Sequence, residues 1–167
     1  LWEDNKSYTS QGFNSVFDSI SGLVRAADEL NFRVHQGYLD EAHGESLREE
    51  LGVDVDFDII EYRLREVDWR YYFTLKSDGD LSRREHPTEI DGITFGRYWG
   101  KTNGNRVDML KLRRNYGGRV AVFSVYQDRD LITAEVEVPS IDLAAGLNPL
   151  GLDKTMDGRY KNRNMGM

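Results

Sequence analysis

The chain has 167 residues, with 22 Lys and Arg against 29 Asp and Glu, a formal net charge of −7 and no Cys. That length suits one domain with a real core, and the missing Cys excludes a disulfide framework and thiolate chemistry. No apolar run approaches a membrane span and no signal peptide is visible, so a cytoplasmic protein is the expectation, and the acidic balance argues against extended nucleic acid as a partner.

Leu1 to Ser10 is short and polar and reads as a strand or strand remnant. Phe13, Val16, Phe17, Ile20, Leu23, Val24, Ala27 and Leu30 recur at helical spacing, which predicts an amphipathic helix over Asn14 to Leu30. Asn31 to Leu39 reads as a strand. His35 and His43 have no second His at metal-ligand spacing and are expected to be ordinary side chains. Asp40 to Asp56 is acidic, with a short helix expected over Glu45 to Leu51; it lacks the alternating oxygen ligands of a calcium loop.

Phe57 to Glu66 and Trp69 to Lys76 are two strands that read as a hairpin turning at Val67-Asp68. Ser77 to Asp80 is a turn by composition. Ser82 to Ile90 is a further strand, and Pro87 marks it as an edge or a bulge. A short helix is expected over Asp91 to Lys101. Arg106 to Asn115 and Arg119 to Gln127 form a hairpin around Gly117-Gly118. Leu131 to Val138 follows, Pro139 stops it, and a helix is expected from Ser140 to Leu147. The tail to Met167 is rich in Gly, Asn and basic residues, and there is no internal repeat.

Charge alternates with bulk along four of these strands. Glu135 and Glu137 flank Val136; Arg63 and Arg65 flank Leu64; Lys111 and Arg113 flank Leu112; Lys76 ends Tyr72 to Lys76. Successive strand side chains point to opposite faces, so each pair shares one face. Such faces are either the solvated side of an ordinary antiparallel sheet or the wall of a cationic cavity with an acidic side, suited to a polyanion arriving with a divalent metal. Seven or eight short strands with two or three helices fit a mainly β, α+β fold: a closed antiparallel barrel with peripheral helices.

The ordered series resembles the CYTH domain, or triphosphate tunnel metalloenzyme, family, from about Gln36 to Met167. Gln36-Gly37-Tyr38-Leu39 is similar to its Q-G-Y-L strand, Arg63 to Arg65 to its R-x-R strand, and Thr74 to Lys76 to its T-x-K strand. Arg83 to Glu85 resembles the start of R-x-E-x-E, Lys111 to Arg113 K-x-R, and Glu135 to Glu137 E-x-E. The tail from Gly151 to Asn162 is similar to the closing segment G-x-E-V-T-x-D-x-R-Y-x-N. The resemblance implies a single domain over residues 1–167, an eight-stranded tunnel whose basic side chains hold a triphosphate and whose carboxylates hold Mg²⁺ or Mn²⁺.

On that basis Arg63, Arg65, Lys76, Arg83, Lys111 and Arg113 are expected to bind phosphate, and Glu135, Glu137, Glu85 and Asp4 to hold metal. Glu135, Glu137 and Lys6 form the expected catalytic set. The expected activity is metal-dependent hydrolysis of tripolyphosphate or a nucleoside triphosphate. The alternatives are a catalytically weak binding module for a triphosphate, nucleotide or acidic partner, a class IV-type adenylyl cyclase, and an RNA 5′-triphosphatase. Four positions depart from the family. Trp2-Glu3-Asp4-Asn5-Lys6 is a degenerate or truncated version of its opening E-x-E-x-K strand. Ser124 stands where Asp is usual, Pro87 where the second Glu of R-x-E-x-E is usual, and Asp153 where Glu is usual.

Overall fold

The computed structural model describes residues 4–9, 31–79, 83–102, 104–116, 119–138, 152–153 and 158–165. The helices expected over Asn14 to Leu30 and Ser140 to Leu147 lie outside the described residues. Nine strands form one sheet: β1 (Asp4–Thr9), β2 (Asn31–Leu39), β3 (Glu61–Val67), β4 (Arg70–Lys76), β5 (Glu85–Ile90), β6 (Arg106–Tyr116), β7 (Arg119–Tyr126), β8 (Ile132–Val138) and β9 (Leu152–Asp153). Their order is β5-β4-β3-β2-β6-β7-β8-β1-β9. Every ladder is antiparallel. The expected mainly β, antiparallel architecture is present, but among the described residues no ladder joins β5 to β9. The sheet is therefore not closed by hydrogen bonds. Pro87 sits in the edge strand β5, where a missing N–H costs least.

Local chemistry sets the element ends. Asp40 caps α1 (Glu41–Leu51) by accepting from the His43 backbone N–H at 2.9 Å, and Gly52 ends it at φ 63°. The helix thus begins four residues earlier than the sequence suggests, because the Asp40 cap lies ahead of Gly44. Asp91 caps α2 (Gly92–Trp99), accepting from the Ile93 and Thr94 N–H groups at 2.8 Å. Two 3₁₀ turns, Gly100–Thr102 and Gly158–Tyr160, and a short α3 (Asn162–Met165) complete the described helices. The β3–β4 turn is Asp68-Trp69, at φ 48° and 64°, one residue beyond the expected position. A two-residue hairpin of this hand needs positive φ at both positions, and β-branched Val67 tolerates that poorly.

Apolar side chains fill the outer side of the sheet. Leu39, Leu64, Phe73, Leu75 and Ile90 pack with Leu47 of α1 and with Phe95 and Tyr98 of α2. Leu112, Ala121, Phe123, Ala134, Val136 and Val138 form a second cluster across β6, β7 and β8. The alternate positions face the other way. At one end of that inner face Val34, Val107, Met109 and Tyr126 pack with Met165 of α3, so apolar contact closes that end and leaves the polar residues beyond it.

Gly44 brings α1 down on β3: a Cβ there would lie 2.2 Å from Tyr62 Cγ. Gly44→Ala gains about 1 kcal/mol of helix propensity, but the overlap with the root of a buried ring costs about 1–3 kcal/mol. The variant is expected to be less stable in urea unfolding; a midpoint at or above wild type would contradict this packing.

Candidate functional site: a buried cationic face

The inner face follows from register. Across antiparallel strands, paired residues share a face. Glu61 pairs Lys76, Arg63 pairs Thr74 and Tyr38, and Arg65 pairs Gln36. Lys76 also pairs Glu85, Lys111 pairs Ser124, and Ser124 pairs Thr133, two residues from Glu135. These positions form one continuous polar surface. It is not a solvated sheet face: Arg63 and Lys111 are 7% exposed, Lys76 3% and Glu61 8%.

The surface is also concave. β4 and β8 are five strand steps apart, about 24 Å in a flat sheet. Yet Lys76 of β4 and Arg83 beside β5 both act electrostatically on Glu135 of β8. The sheet curls until its far strands face each other.

Two groups of contacts define the electrostatics. In the first, Lys76 Nζ lies 2.5 Å from Glu85 Oε1 and 3.8 Å from Glu61 Oε1. Arg63 Nη2 and Arg83 Nε approach the Glu85 carboxylate at 3.6 and 3.4 Å. Burial works against the charge of Glu85, but Lys76, Arg63 and Arg83 outweigh it and hold the carboxyl down at about 2. Lys76 is pushed down to about 7, first by burial and then by Arg63 and Arg83; Glu85 and Glu61 oppose the shift. In the second group, Lys111 Nζ is 3.8 Å from Glu135 Oε2. Desolvation favours the neutral form of the half-buried Glu135, yet Lys111, Arg83, Lys76 and Arg65 hold its pKa below the usual range. Arg65 is pushed down to about 9 by burial and by Arg63.

Thus Arg63, Arg65, Lys76, Arg83, Lys111, Glu85 and Glu135 share one electrostatic neighbourhood. Arg113 lies two residues along β6 from Lys111 but is exposed. Glu137 falls in register with Asn5, and Glu135 with Ser7. Asp4 and Lys6 pair Val138 and Val136 instead. A one-residue offset exchanges the two faces of a strand, so the register of β1 decides which of its residues stand opposite Glu135 and Glu137. The Glu85 carboxylate is engaged by Lys76, Arg63 and Arg83. Among the described residues no three His, Cys, Asp or Glu cluster as a metal group.

Sequence reasoning passed over Glu61, Gln36 and Tyr38 as site residues. Glu61 continues the period-two pattern of Arg63 and Arg65 and could have been found from it. Gln36 and Tyr38 carry no charge and so gave no alternation signal.

The contact between Lys76 and Glu85 makes a direct prediction. Glu85 favours the charged lysine, so Glu85→Gln should lower the Lys76 titration midpoint further below about 7. Carbon NMR of labelled lysine side chains reads it, with Lys76→Met to assign the signal. A midpoint that stays put or rises towards the ordinary lysine value would contradict the contact.

No family model matches the chain. An inorganic triphosphatase of Nitrosomonas europaea is 37% identical over 112 residues, 64% of this chain and 74% of the relative. The crystal structure of the inorganic triphosphatase NE1496 aligns with a TM-score of 0.63 at 25% identity, covering 98% of this chain and 93% of that one. The PH1012 protein of Pyrococcus horikoshii shares the fold, with a TM-score of 0.53 at 14% identity over 86% of this chain and 83% of its own. With its R-x-R, T-x-K, K-x-R and E-x-E strands lining one concave face, the chain belongs to the CYTH-domain, or triphosphate tunnel, family.

Proposed function

We propose that residues 1–167 form one tunnel domain that hydrolyses a phosphoanhydride bond of tripolyphosphate or a nucleoside triphosphate with Mg²⁺ or Mn²⁺. The observation that carries the reading is the excess of buried cation on one concave face. Arg63 Nε is buried and finds no acceptor among the described residues, and Lys76 and Arg65 are driven towards their neutral forms. A linear triphosphate supplies the missing acceptors and charge. The similar Nitrosomonas europaea protein, an inorganic triphosphatase, supports the same class of substrate.

Arg63, Arg65, Lys76, Arg83 and Lys111 are assigned to the phosphates, with Arg113 towards the rim. Arg forks match phosphate oxygens two at a time, and Lys adds point charge. Glu135 is ionised and partly accessible, which suits a hard cation. Mg²⁺ commonly takes one or two carboxylates and completes its shell with substrate oxygens and water; Glu135 with Glu137 fits that requirement. When bound, such an ion neutralises phosphate charge and acidifies a coordinated water. The protein's own contribution is positioning and charge: the cations hold the chain of phosphates straight, and those nearest the leaving oxygen stabilise the charge that develops as the bridging bond breaks.

A second reading is a module of the same fold that binds a triphosphate with little turnover. Ser124 on the inner face and Pro87 in β5 favour it, because both stand where the family carries acidic residues and so thin the metal side.

Phosphate release from tripolyphosphate and from ATP, with Mg²⁺ and then Mn²⁺, separates the two. Glu135→Ala should lower metal-dependent kcat on the order of a hundredfold with little change in Tm. Wild-type turnover in that variant would remove Glu135 from the site. Arg63→Ala should weaken tripolyphosphate binding about tenfold to hundredfold by calorimetry; unchanged affinity would undo the assignment of the inner face.

A further inference from the structure

Gln36 and Tyr38 lie on the inner face directly opposite Arg65 and Arg63. Gln36 is fully buried and Tyr38 nearly so. Their hydrogen bonds have only one consistent direction. Arg65 donates through Nε and Nη2 to Gln36 Oε1 at 3.0 and 2.7 Å. A guanidinium has no acceptor, so the amide oxygen must be the atom facing it. That leaves Gln36 Nε2 towards Tyr38, and it donates to Tyr38 Oη. The phenol oxygen is thereby an acceptor, and its own proton must point elsewhere.

Two of the groups whose charge acts on Tyr38, Arg63 and Arg65, have donors only. Burial, and then the charge of Glu61, keep the phenol protonated. Among the described residues its hydroxyl donates to nothing. A buried donor without an acceptor is costly, and a phosphate oxygen lying between Arg63 and Arg65 would meet the need.

We propose that Gln36 is a positioning residue that fixes the Arg65 fork and, in the same step, directs the Tyr38 hydroxyl to donate to a phosphate oxygen of the bound triphosphate. This rests on the triphosphate reading above. A side-chain amide does both jobs. A carboxylate at position 36 would still accept from Arg65, but it would also accept the Tyr38 proton and draw it away from the ligand.

The test is a double-mutant cycle on the full chain, read as tripolyphosphate affinity by calorimetry, with the Tm of each unliganded variant measured alongside. Tyr38→Phe should weaken binding about tenfold, and Gln36→Met about tenfold to hundredfold. The double variant should be no weaker than Gln36→Met within about twofold, because the Tyr38 hydroxyl is already misdirected there. Losses that multiply, or wild-type affinity in Gln36→Met, overturn the proposal. A residue that served only the fold would lower Tm without this coupling. Should Gln36→Met not fold, Gln36→Glu takes its place in the cycle. It should bind weakly and be indifferent to Tyr38→Phe, and a further tenfold loss on adding Tyr38→Phe overturns the proposal. If wild type does not bind, or if Arg63→Ala binds as wild type does, the triphosphate reading itself fails, which is a different outcome from a failed cycle.

Discussion

Everything in this fold turns on cations that have been taken out of water. Burying an unpaired charge costs several kcal/mol even after relaxation. Here Arg63, Lys76 and Lys111 are each under a tenth exposed, and Arg65 joins them on one face. Glu61, Glu85 and Glu135 offset part of that charge but not all of it. Burial first, and then the neighbouring cations, hold Lys76 near 7 and Arg65 near 9. A polyanion relieves this repulsion, so the unfavourable state of the free protein is the source of its affinity.

The rest of the architecture supports that state. Leu64, Phe73 and Leu75 alternate with Arg63, Thr74 and Lys76, so the strands that present the cations also anchor them to the outer core with α1 and α2. The curl of the sheet brings β4 and β8 within electrostatic reach. The apolar end around Met109 and Met165 keeps the polar region to one part of the face. Gln36 and Tyr38 give the face direction as well as charge, since hydrogen-bond donors are aimed where point charges are not.

Much of this was legible in the sequence, for a definite reason. A strand with one apolar and one charged side writes both faces into a period of two. Arg63/Arg65, Lys111/Arg113 and Glu135/Glu137 were therefore visible beside Leu64, Leu112 and Val136, and the motif order pointed to the family. What the pattern could not carry was distance across the sheet. It gave no warning that Arg113 would be exposed while Lys111 was buried, or that Lys76, Arg63 and Arg83 would converge on Glu85. It also could not fix the β1 register, where one residue decides whether Lys6 or Ser7 stands opposite Glu135. Neutral hydrogen-bonding residues such as Gln36 carry no charge signal at all, and ladder closure depends on edge strands whose ends propensity does not define.

The central claim is that the curled face is built for a linear chain of three phosphates. The most direct measurement is calorimetric titration of the wild-type chain with tripolyphosphate, diphosphate and orthophosphate in turn. The account predicts saturable one-to-one binding of tripolyphosphate, at least tenfold tighter than diphosphate, with orthophosphate weaker still. Equal, weak binding of all three, or none, would mean that the buried cations serve the fold and not a triphosphate.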